Sequence, residues 1–505
     1  MELKNPKSSG TDATMETPSL PPIIQPWEHE LLKDRGLQPA AELARFAALA
    51  AGPFHVLNPP QFRSNVRAFV QACKDAEIPA TVYFARKANK SACWLPVIAE
   101  EDQGVDVASG PEFLGAMAAG ISGHKLVVTG AEKPTSLLEL AIRHDALVVV
   151  DSPSELFRIN RLATRIHGHD ENSAAKNRSF AATQRARIML RILPESQQHS
   201  RFGMTPGDWL SALQKLHDDH STGVECIGAS FHLNGYNARE RGEQAHRLLD
   251  FITDLRQVGC PAKLIDIGGG FSIQYCPTRA WEQFSESALH STQAEQVFHA
   301  AHAPNSTYPY GGQGNDGPSM LSEIFSICHP TPRRNAMGTV AERLRSENVE
   351  LALEPGRALL QGTGMTVFPV QGVKQRQGYA IVTASGLSMS MSEQWKDSEF
   401  LPDMSLWRPS TSNADNSPTA QQFSIPTLTC VGGSSCMEYD MLTWRKVRLP
   451  ACPQRGDLLV YHNTAGYQMD KNESEFHQLR LPMRFIYEGP TTLPRIDRPL
   501  HEELP

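Results

Sequence analysis

Short apolar or β-branched runs recur along the first three quarters of the chain, each followed by a stretch of helical length. They are Thr81–Ala85, Val105–Ala108, Lys125–Thr129, Ala146–Asp151, Ala186–Leu193, Glu225–Leu233, Lys263–Ile267 and Glu350–Leu353, all of strand length. The segments between them carry apolar residues at helical spacing, for example Phe113, Leu114 and Met117 ahead of Gly120, and Leu137, Leu138, Leu140 and Ala141. Eight strand–helix repeats predict an α/β fold, a closed parallel (β/α)8 barrel, with a doubly wound open sheet as the competing arrangement. The texture changes near Gly362. Met365–Gln371, Tyr379–Thr383, Thr427–Val431, Lys446–Leu449, Asp457–Tyr461 and His477–Tyr487 read as strands joined by turns, which predicts a second, all-β domain. His167 to Gln184, Ala303 to Pro318 and Pro409 to Gln422 read as loops that lengthen the chain without adding core.

Where the unusual residues fall favours the barrel. Lys87, Asp106, Ser109, Gly130, Asp151, His232, Gly268 to Gly270 and Glu354 sit at or just past the C-terminal end of a strand run, the face on which a barrel places its chemistry. Composition narrows the function classes. The 505 residues are 40% hydrophobic and 20% charged, with a net charge of −7, and no basic block is long enough to neutralise a run of phosphates. Nucleic acid is therefore not expected as a partner. No apolar window reaches the length of a membrane span, and Met1 to Pro22 lacks the apolar core of a secretory signal. These features predict a cytoplasmic protein with a frayed N-terminal arm and no membrane partner. Nine cysteines without a CxxC pair suggest neither a disulfide framework nor a metal site.

Four strand-end features carry chemistry. Lys87, in TVYFARKANK, follows a strand directly; partial desolvation would depress such an amine and let it form a Schiff base with an aldehyde. A lysine alone in that place is more often a snorkelling surface side chain. Gly268-Gly269-Gly270, in LIDIGGGF, gives a turn whose backbone amides can approach an anion. Glu354-Pro355-Gly356-Arg357 adds a guanidinium suited to phosphate and a carboxylate suited to a protonated ring nitrogen. His232, in SFHLNG, is a flat group that could lie against an aromatic cofactor or be a satisfied core histidine. Together they specify pyridoxal phosphate.

With those motifs in order, the chain resembles the fold type III pyridoxal-phosphate decarboxylases, the group of diaminopimelate, ornithine and arginine decarboxylases. FARKAN, VDVASGPEF, SRFG at Ser200 to Gly203, SFHLNG, IDIGGGF, EPGR, CMEYD from Cys436 and Ala465-Gly466-Tyr467 match that family's segments in order. The runs CMEYDMLTWRK and NTAGYQMDKNESEFH are similar to relatives of specialised metabolism. The resemblance implies an alanine-racemase-like barrel at 51–357, a β domain at 358–490, a segment at 27–50 packing on that β domain, a flexible arm at 1–26 and a tail at 491–505. It implies Lys87 as the Schiff-base lysine with Asp106 nearby, Glu354 beside the pyridine nitrogen and His232 stacked on the ring. It places Gly269, Gly270, Gly356, Arg357 and Tyr467 around the phosphate. It makes Cys436, reaching over from a second subunit of a homodimer, the acid that reprotonates the intermediate. Arg357, Met437, Glu438 and Asp440 would meet the substrate, an amino acid.

The sequence departs from the family at two places where an acidic group would hold a distal ammonium. Met437 follows Cys436, and Ala384 stands in the TASG segment. An unpaired buried ammonium is costly, so a simple diamino acid is disfavoured unless Glu438 takes the vacated place. Asn234-Gly235 also stands where the family has a Gly-Ser pair, removing one hydroxyl from the phosphate side. An amino-acid racemase on the same cofactor is the alternative, since it needs a base on each face of Cα. A non-catalytic regulatory homologue should have lost the lysine or the cysteine, and both are kept.

Overall fold

A computed structural model of the chain describes residues 18–32, 41–167, 185–218, 223–289, 294–302, 314–330, 338–391, 400–408, 425–471 and 473–498. Strand β1 (Phe54–Leu57) is followed by the barrel strands β2 (Ala80–Ala85), β3 (Gly104–Val107), β4 (Leu126–Val128), β5 (Leu147–Val150), β6 (Ala186–Arg191), β7 (Val224–Ser230), β8 (Leu264–Asp266) and β9 (Glu350–Leu353). β2 to β9 pair in parallel in chain order, and β2 closes the ring on β9, with Val82 opposite Leu353. All eight runs read from the sequence as strands are in this barrel. Side-chain alternation explains why they read as continuous apolar runs. Tyr83, Val127, Leu147, Val149, Met189 and Ile227 pack together inside the ring. Their neighbours Val82, Phe84, Val128, Val148, Val150 and Ile188 face the helices, so both faces are buried.

The helices are fixed by local chemistry as well as by packing. Pro59–Asp75 begins on Asn58, whose side chain accepts from Gln61 N at 2.8 Å, with proline at the first position. Such a cap contributes about 1 kcal/mol. Its buried side Phe62, Val66, Phe69 and Cys73 recurs every three or four residues and packs on the barrel. After β3, Ser109 caps Gly110–Ala118 by accepting from Glu112 N, and Glu112 accepts in return from Ala108 N at 2.7 Å.

The second sheet is built from β1 together with β10 (Gly364–Arg376), β11 (Tyr379–Ala384), β12 (Ser405–Trp407), β13 (Thr427–Gly432), β14 (Met441–Leu449), β15 (Leu458–Tyr461), β16 (Met483–Ile486) and β17 (Arg495–Ile496). β1 lies between β10, antiparallel, and β16, parallel. Helices Pro26–Leu32 and Ala41–Ala50 cover this sheet: Trp27, Leu31, Leu43 and Phe46 share a core with Phe54, Val367, Val460 and Phe485.

Several boundaries differ from the sequence reading. Residues 54–57 belong to the second sheet rather than to the barrel, because their partners are Gly364–Val367 and Met483–Ile486. Residues 495–496, expected in the tail, pair with β16. Residues 18–26 are not a loose arm: Leu20 is fully buried, its amide donates to Asp403, and Ile23 N donates to Tyr275 O at 2.7 Å. Only Met483–Ile486 of His477–Tyr487 is strand, since His477 and Gln478 take left-handed backbone angles that a strand cannot continue. Of the expected loops, 168–184, 303–313 and 409–422 lie outside the described residues, and Asp316, at the end of the second, caps the helix Gly317–Ser326.

Two strand-end loops are fastened by a buried ion pair. Lys133 Nζ lies 2.9 Å from Glu155 Oε2, with side-chain exposures of 2% and 0%. Lys133 also donates to Gly130 O and Val149 O, and Glu155 accepts from Asp151 N at 3.0 Å. Glu155→Ala should therefore cost about 3–5 kcal/mol by leaving a buried ammonium unpaired. Replacing both partners, as Lys133→Met with Glu155→Leu, should recover most of that loss. The midpoint of urea unfolding measures both.

Candidate active site

Lys87 sits in a single 3₁₀ turn, Arg86–Ala88, directly after β2. The turn is held from below by Arg86, whose buried guanidinium donates to the carbonyls of Asn89, Lys90 and Ser91. From the side, Tyr467 N donates to Ala88 O at 2.8 Å and Asn89 Nδ2 to Ala465 O at 2.8 Å. The segment after β15 thus reaches the barrel mouth and is bonded to the lysine turn.

Lys87 Nζ lies 3.2 Å from Asp106 Oδ2 at the end of β3, and Asp106 Oδ1 accepts from Thr129 Oγ1 at 2.5 Å. Across the mouth, Glu354 Oε2 lies 3.7 Å from His232 Nδ1. A cavity of about 260 Å³ is lined by Lys87, Thr129, Arg191, Phe202, His232 and Glu354, among others. The mouth holds three carboxyl groups, Asp106, Asp266 and Glu354, all buried.

Their protonation is set by one another. Burial, then the Glu354 charge, push Asp106 up to about 6, against the pull of Lys87 and Thr129. Burial and Glu354 hold Asp266 well above the usual carboxylate range. Burial opposes ionisation of Glu354 too, but the His232 ring, the Lys87 ammonium and Asp266 together outweigh it and hold its carboxyl low. The two carboxyls are thus pushed in opposite directions, Glu354 down and Asp266 up. His232 is lowered by burial first and by Lys87 besides, so its ring is neutral. Lys87 is raised by the adjacent Asp106, against burial, with Glu354 adding to the effect. The sequence reading expected a depressed amine from desolvation; the carboxylate 3.2 Å away reverses the sign.

The glycine turn follows β8. Gly268 and Gly270 have φ of +69° and +77°, and a Cβ on Gly269 would lie 2.5 Å from Glu354 O, so side chains are excluded here. Asp266 Oδ1 accepts from Gly268 N at 2.8 Å, while the amides of Gly269, Gly270 and Phe271 form no hydrogen bond within the described residues. Gly356 is packed as closely, since a Cβ would lie 2.9 Å from Ala88 Cβ and 3.1 Å from the Tyr467 hydroxyl. Arg357 is buried, donates to Gly466 O at 3.0 Å and lies 4.8 Å from the centroid of the Tyr467 ring.

The structure therefore brings together Lys87, Asp106, His232, Gly269, Gly270, Glu354, Gly356, Arg357 and Tyr467 at one end of the barrel. Cys436, Met437 and Glu438 are on the turn between β13 and β14, in the second sheet, and are not among the residues that line the cavity. Cys436 is exposed, with Sγ 3.3 Å from His477 Nε2. Asp440, expected to meet substrate, is buried, and its carboxylate accepts from Ser388 N and Ser435 N; it shapes the turn instead. Ala384 is fully enclosed in the core, and the next residues join the cysteine turn through a pair of bonds between Gly386 and Ser434. Sequence reasoning missed Thr129 and Arg191. Both end barrel strands, and scanning every strand end for polar groups would have found them. Arg191 lies 4.3 Å over the Phe202 ring and 3.8 Å from Asp151.

The chain is similar to known proteins in sequence and in fold. The family model for the pyridoxal-dependent decarboxylases, pyridoxal binding domain, matches residues 61–306. The chain is 32% identical over 468 residues to the uncharacterized protein y4yA of Sinorhizobium fredii, covering 92% of this chain and 93% of that one. It is 24% identical over 443 residues to diaminopimelate decarboxylase of Bacillus subtilis, covering 83% of each. In fold it is similar to diaminopimelate decarboxylase from Helicobacter pylori complexed with L-lysine, with a TM-score of 0.63 and 17% identity over 89% of this chain and 95% of that one. The arginine decarboxylase of Paramecium bursaria Chlorella virus gives a TM-score of 0.63 and 16% identity over 88% and 98%. The chain belongs to the fold type III pyridoxal-phosphate-dependent decarboxylases. Its cofactor is pyridoxal 5′-phosphate. Among the described residues no helix is long and apolar enough to cross a membrane.

Replacing Asp106 by Asn should lower the pH at which Lys87 of the apoprotein becomes reactive, because the charge that raises its pKa is gone. Acylation of Lys87 by an amine-selective reagent, followed against pH by peptide mass spectrometry, measures the displacement. An unchanged profile would show that Asp106 does not control the amine.

Proposed function

We propose that the chain is an amino-acid decarboxylase, with Lys87 as the amine that condenses with the aldehyde of the cofactor. The observation that carries this reading is the meeting of Lys87, His232 and Glu354 around one cavity of about 260 Å³, with Asp106 3.2 Å from the Lys87 amine. The residues fit pyridoxal phosphate. Amides at Gly269 and Gly270 have no partner among the described residues and face a turn too tight for any side chain, as an anion site requires. Gly356, Arg357 and Tyr467 would complete the phosphate side. When bound, the cofactor supplies an aldehyde open to amines and a ring that takes up the electron pair left on Cα as carbon dioxide departs.

The side chains have matching tasks. Glu354, held ionised, would keep a ring nitrogen protonated. The neutral His232 ring offers a flat face for stacking without adding charge. Lys87 must lose its proton before it can attack a carbonyl, and Asp106 is the acceptor in reach at 3.2 Å. Cys436 would return a proton to Cα. Its place on an exposed turn away from its own cavity supports a homodimer in which each turn reaches the partner's mouth. Met437 and the enclosed Ala384 support a substrate whose far end is neutral, acidic or joined to a larger group, because neither offers a carboxylate to a distal ammonium.

Two experiments test the reading. Loaded with pyridoxal phosphate and reduced with borohydride, the protein should carry the label on the peptide containing Lys87. The same preparation, given both enantiomers of a panel of amino acids, should release carbon dioxide, with ornithine and lysine among the poor substrates. Label on another lysine would remove Lys87 from its role, and loss of optical rotation without carbon dioxide would establish a racemase. Ornithine or lysine turning over with kcat/KM above roughly 10⁴ M⁻¹s⁻¹ would show that the missing carboxylates do not decide specificity. Mixing inactive Lys87→Ala with inactive Cys436→Ala subunits should restore part of the activity, since one of the two hybrid sites is complete. Hybrids that form and stay inactive would rule out a shared site.

A further inference from the structure

Arg241 stands in the first turn of the helix Ala238–Gln257, where a cation opposes the helix dipole, and none of it is exposed. Its guanidinium is spent on backbone. Nη1 donates to Ile267 O at 3.0 Å, and Nη2 donates to Gly235 O at 3.3 Å and Gly270 O at 3.4 Å. Nε has no partner among the described residues. The carboxyl groups whose fields reach it are Glu240 and Asp266. Neither forms an ion pair with it among the described residues. Burial pushes the pKa of Arg241 down to about 10, which leaves it charged at neutral pH. A buried cation with no counter-ion is an unfavourable arrangement unless something else supplies the negative charge.

The carbonyls it gathers say where that charge would sit. In a trans peptide the N–H points opposite to the C=O. With Gly235 O and Gly270 O turned toward Arg241, the amides of Tyr236 and Phe271 turn away from it. Neither amide makes a hydrogen bond within the described residues. Gly270 reaches this arrangement at a φ of +77°, and a Cβ there would come within 2.7 Å of Arg241 Nη2. The turn after His232 and the glycine turn after β8 are thus fastened to one guanidinium by their carbonyl sides, with their amide sides left open.

We propose that Arg241 is a positioning residue for the cofactor phosphate: it clamps the 233–236 and 268–271 turns from behind, orients their open amides, and has its own buried charge balanced by the phosphate dianion. The inference rests on the reading above that puts the phosphate at the glycine turn. It does not make Arg241 a contact of the phosphate. The contact is through the peptides, and the charge acts from one peptide plane further back.

The test compares pyridoxal phosphate with pyridoxal, which differ at the phosphate alone. Apoprotein is titrated with each and followed by absorbance. Arg241→Gln keeps donors and removes the charge, and should lose about ten- to a hundredfold in affinity for pyridoxal phosphate while binding pyridoxal within about twofold of the parent. Arg241→Lys keeps the charge without the fork and should fall between. Equal losses for both ligands, or an Arg241→Gln variant that keeps its phosphate preference, overturns the proposal. Gly269→Ala separates it from the reading beneath. If Gly269→Ala keeps the full preference, the phosphate is not at this turn; if it loses the preference while Arg241→Gln keeps it, the role of Arg241 alone fails. Should the Arg241 variants not fold, amide exchange in the parent apoprotein decides the matter. Inorganic phosphate should slow exchange at both Tyr236 and Phe271, and unaltered exchange at either overturns the clamp.

Discussion

The barrel mouth depends on keeping three buried carboxyl groups beside a half-exposed lysine and histidine. Lys87, Asp106, Glu354, Asp266 and His232 are neighbours at one end of a ring of apolar strands. In such a place charges a few ångströms apart interact far more strongly than in water. Their neighbours push them apart: Asp266 and Asp106 upward, Glu354 and His232 downward, and Lys87 upward. The shift of each group depends on the charge of the others, so their titrations are linked.

The frame around that unit follows a common plan. Arg86, Lys133 and Arg241 are buried cations that donate to backbone carbonyls of the loops following β2, β4, β7 and β8. Side chains of three buried cations thus hold the loops that follow the strands. The second domain shares in this frame, because Ala465 and Tyr467 are bonded to the turn that bears Lys87, and Gly466 accepts from Arg357. Movement between the domains would therefore break bonds at the lysine turn itself.

The barrel was legible because its strands are buried on both faces, and uninterrupted runs such as Leu147–Val150 need no partner to be recognised. β1 was not. Phe54–Leu57 falls inside the 51–357 span expected for the barrel, and its partners lie about three and four hundred residues further on. The direction of the Lys87 shift was hidden for a similar reason, since Asp106 is nineteen residues away along the chain and desolvation was the visible influence. Arg241 lies in a helix with charged residues on either side, ARERGEQ, where nothing in the spacing separates a buried cation from a solvated one. The Cys436 motif could be read as a string of letters, but its exposure and its contact with His477, forty-one residues on, are properties of the fold.

The place of β1 has a consequence for how the protein is made. Every barrel strand finds its partners between Ala80 and Leu353, so the ring can close while the rest is still on the ribosome. β1 cannot be flanked on both sides until Ile486 has emerged, and Phe46 and Phe54 lack their aromatic partner Phe485 until then. At about 5–20 residues per second, the stretch from Leu353 to Ile486 takes on the order of ten seconds. For that time the nascent chain carries a finished barrel with an apolar leader, and this leader is where a holding chaperone would find it.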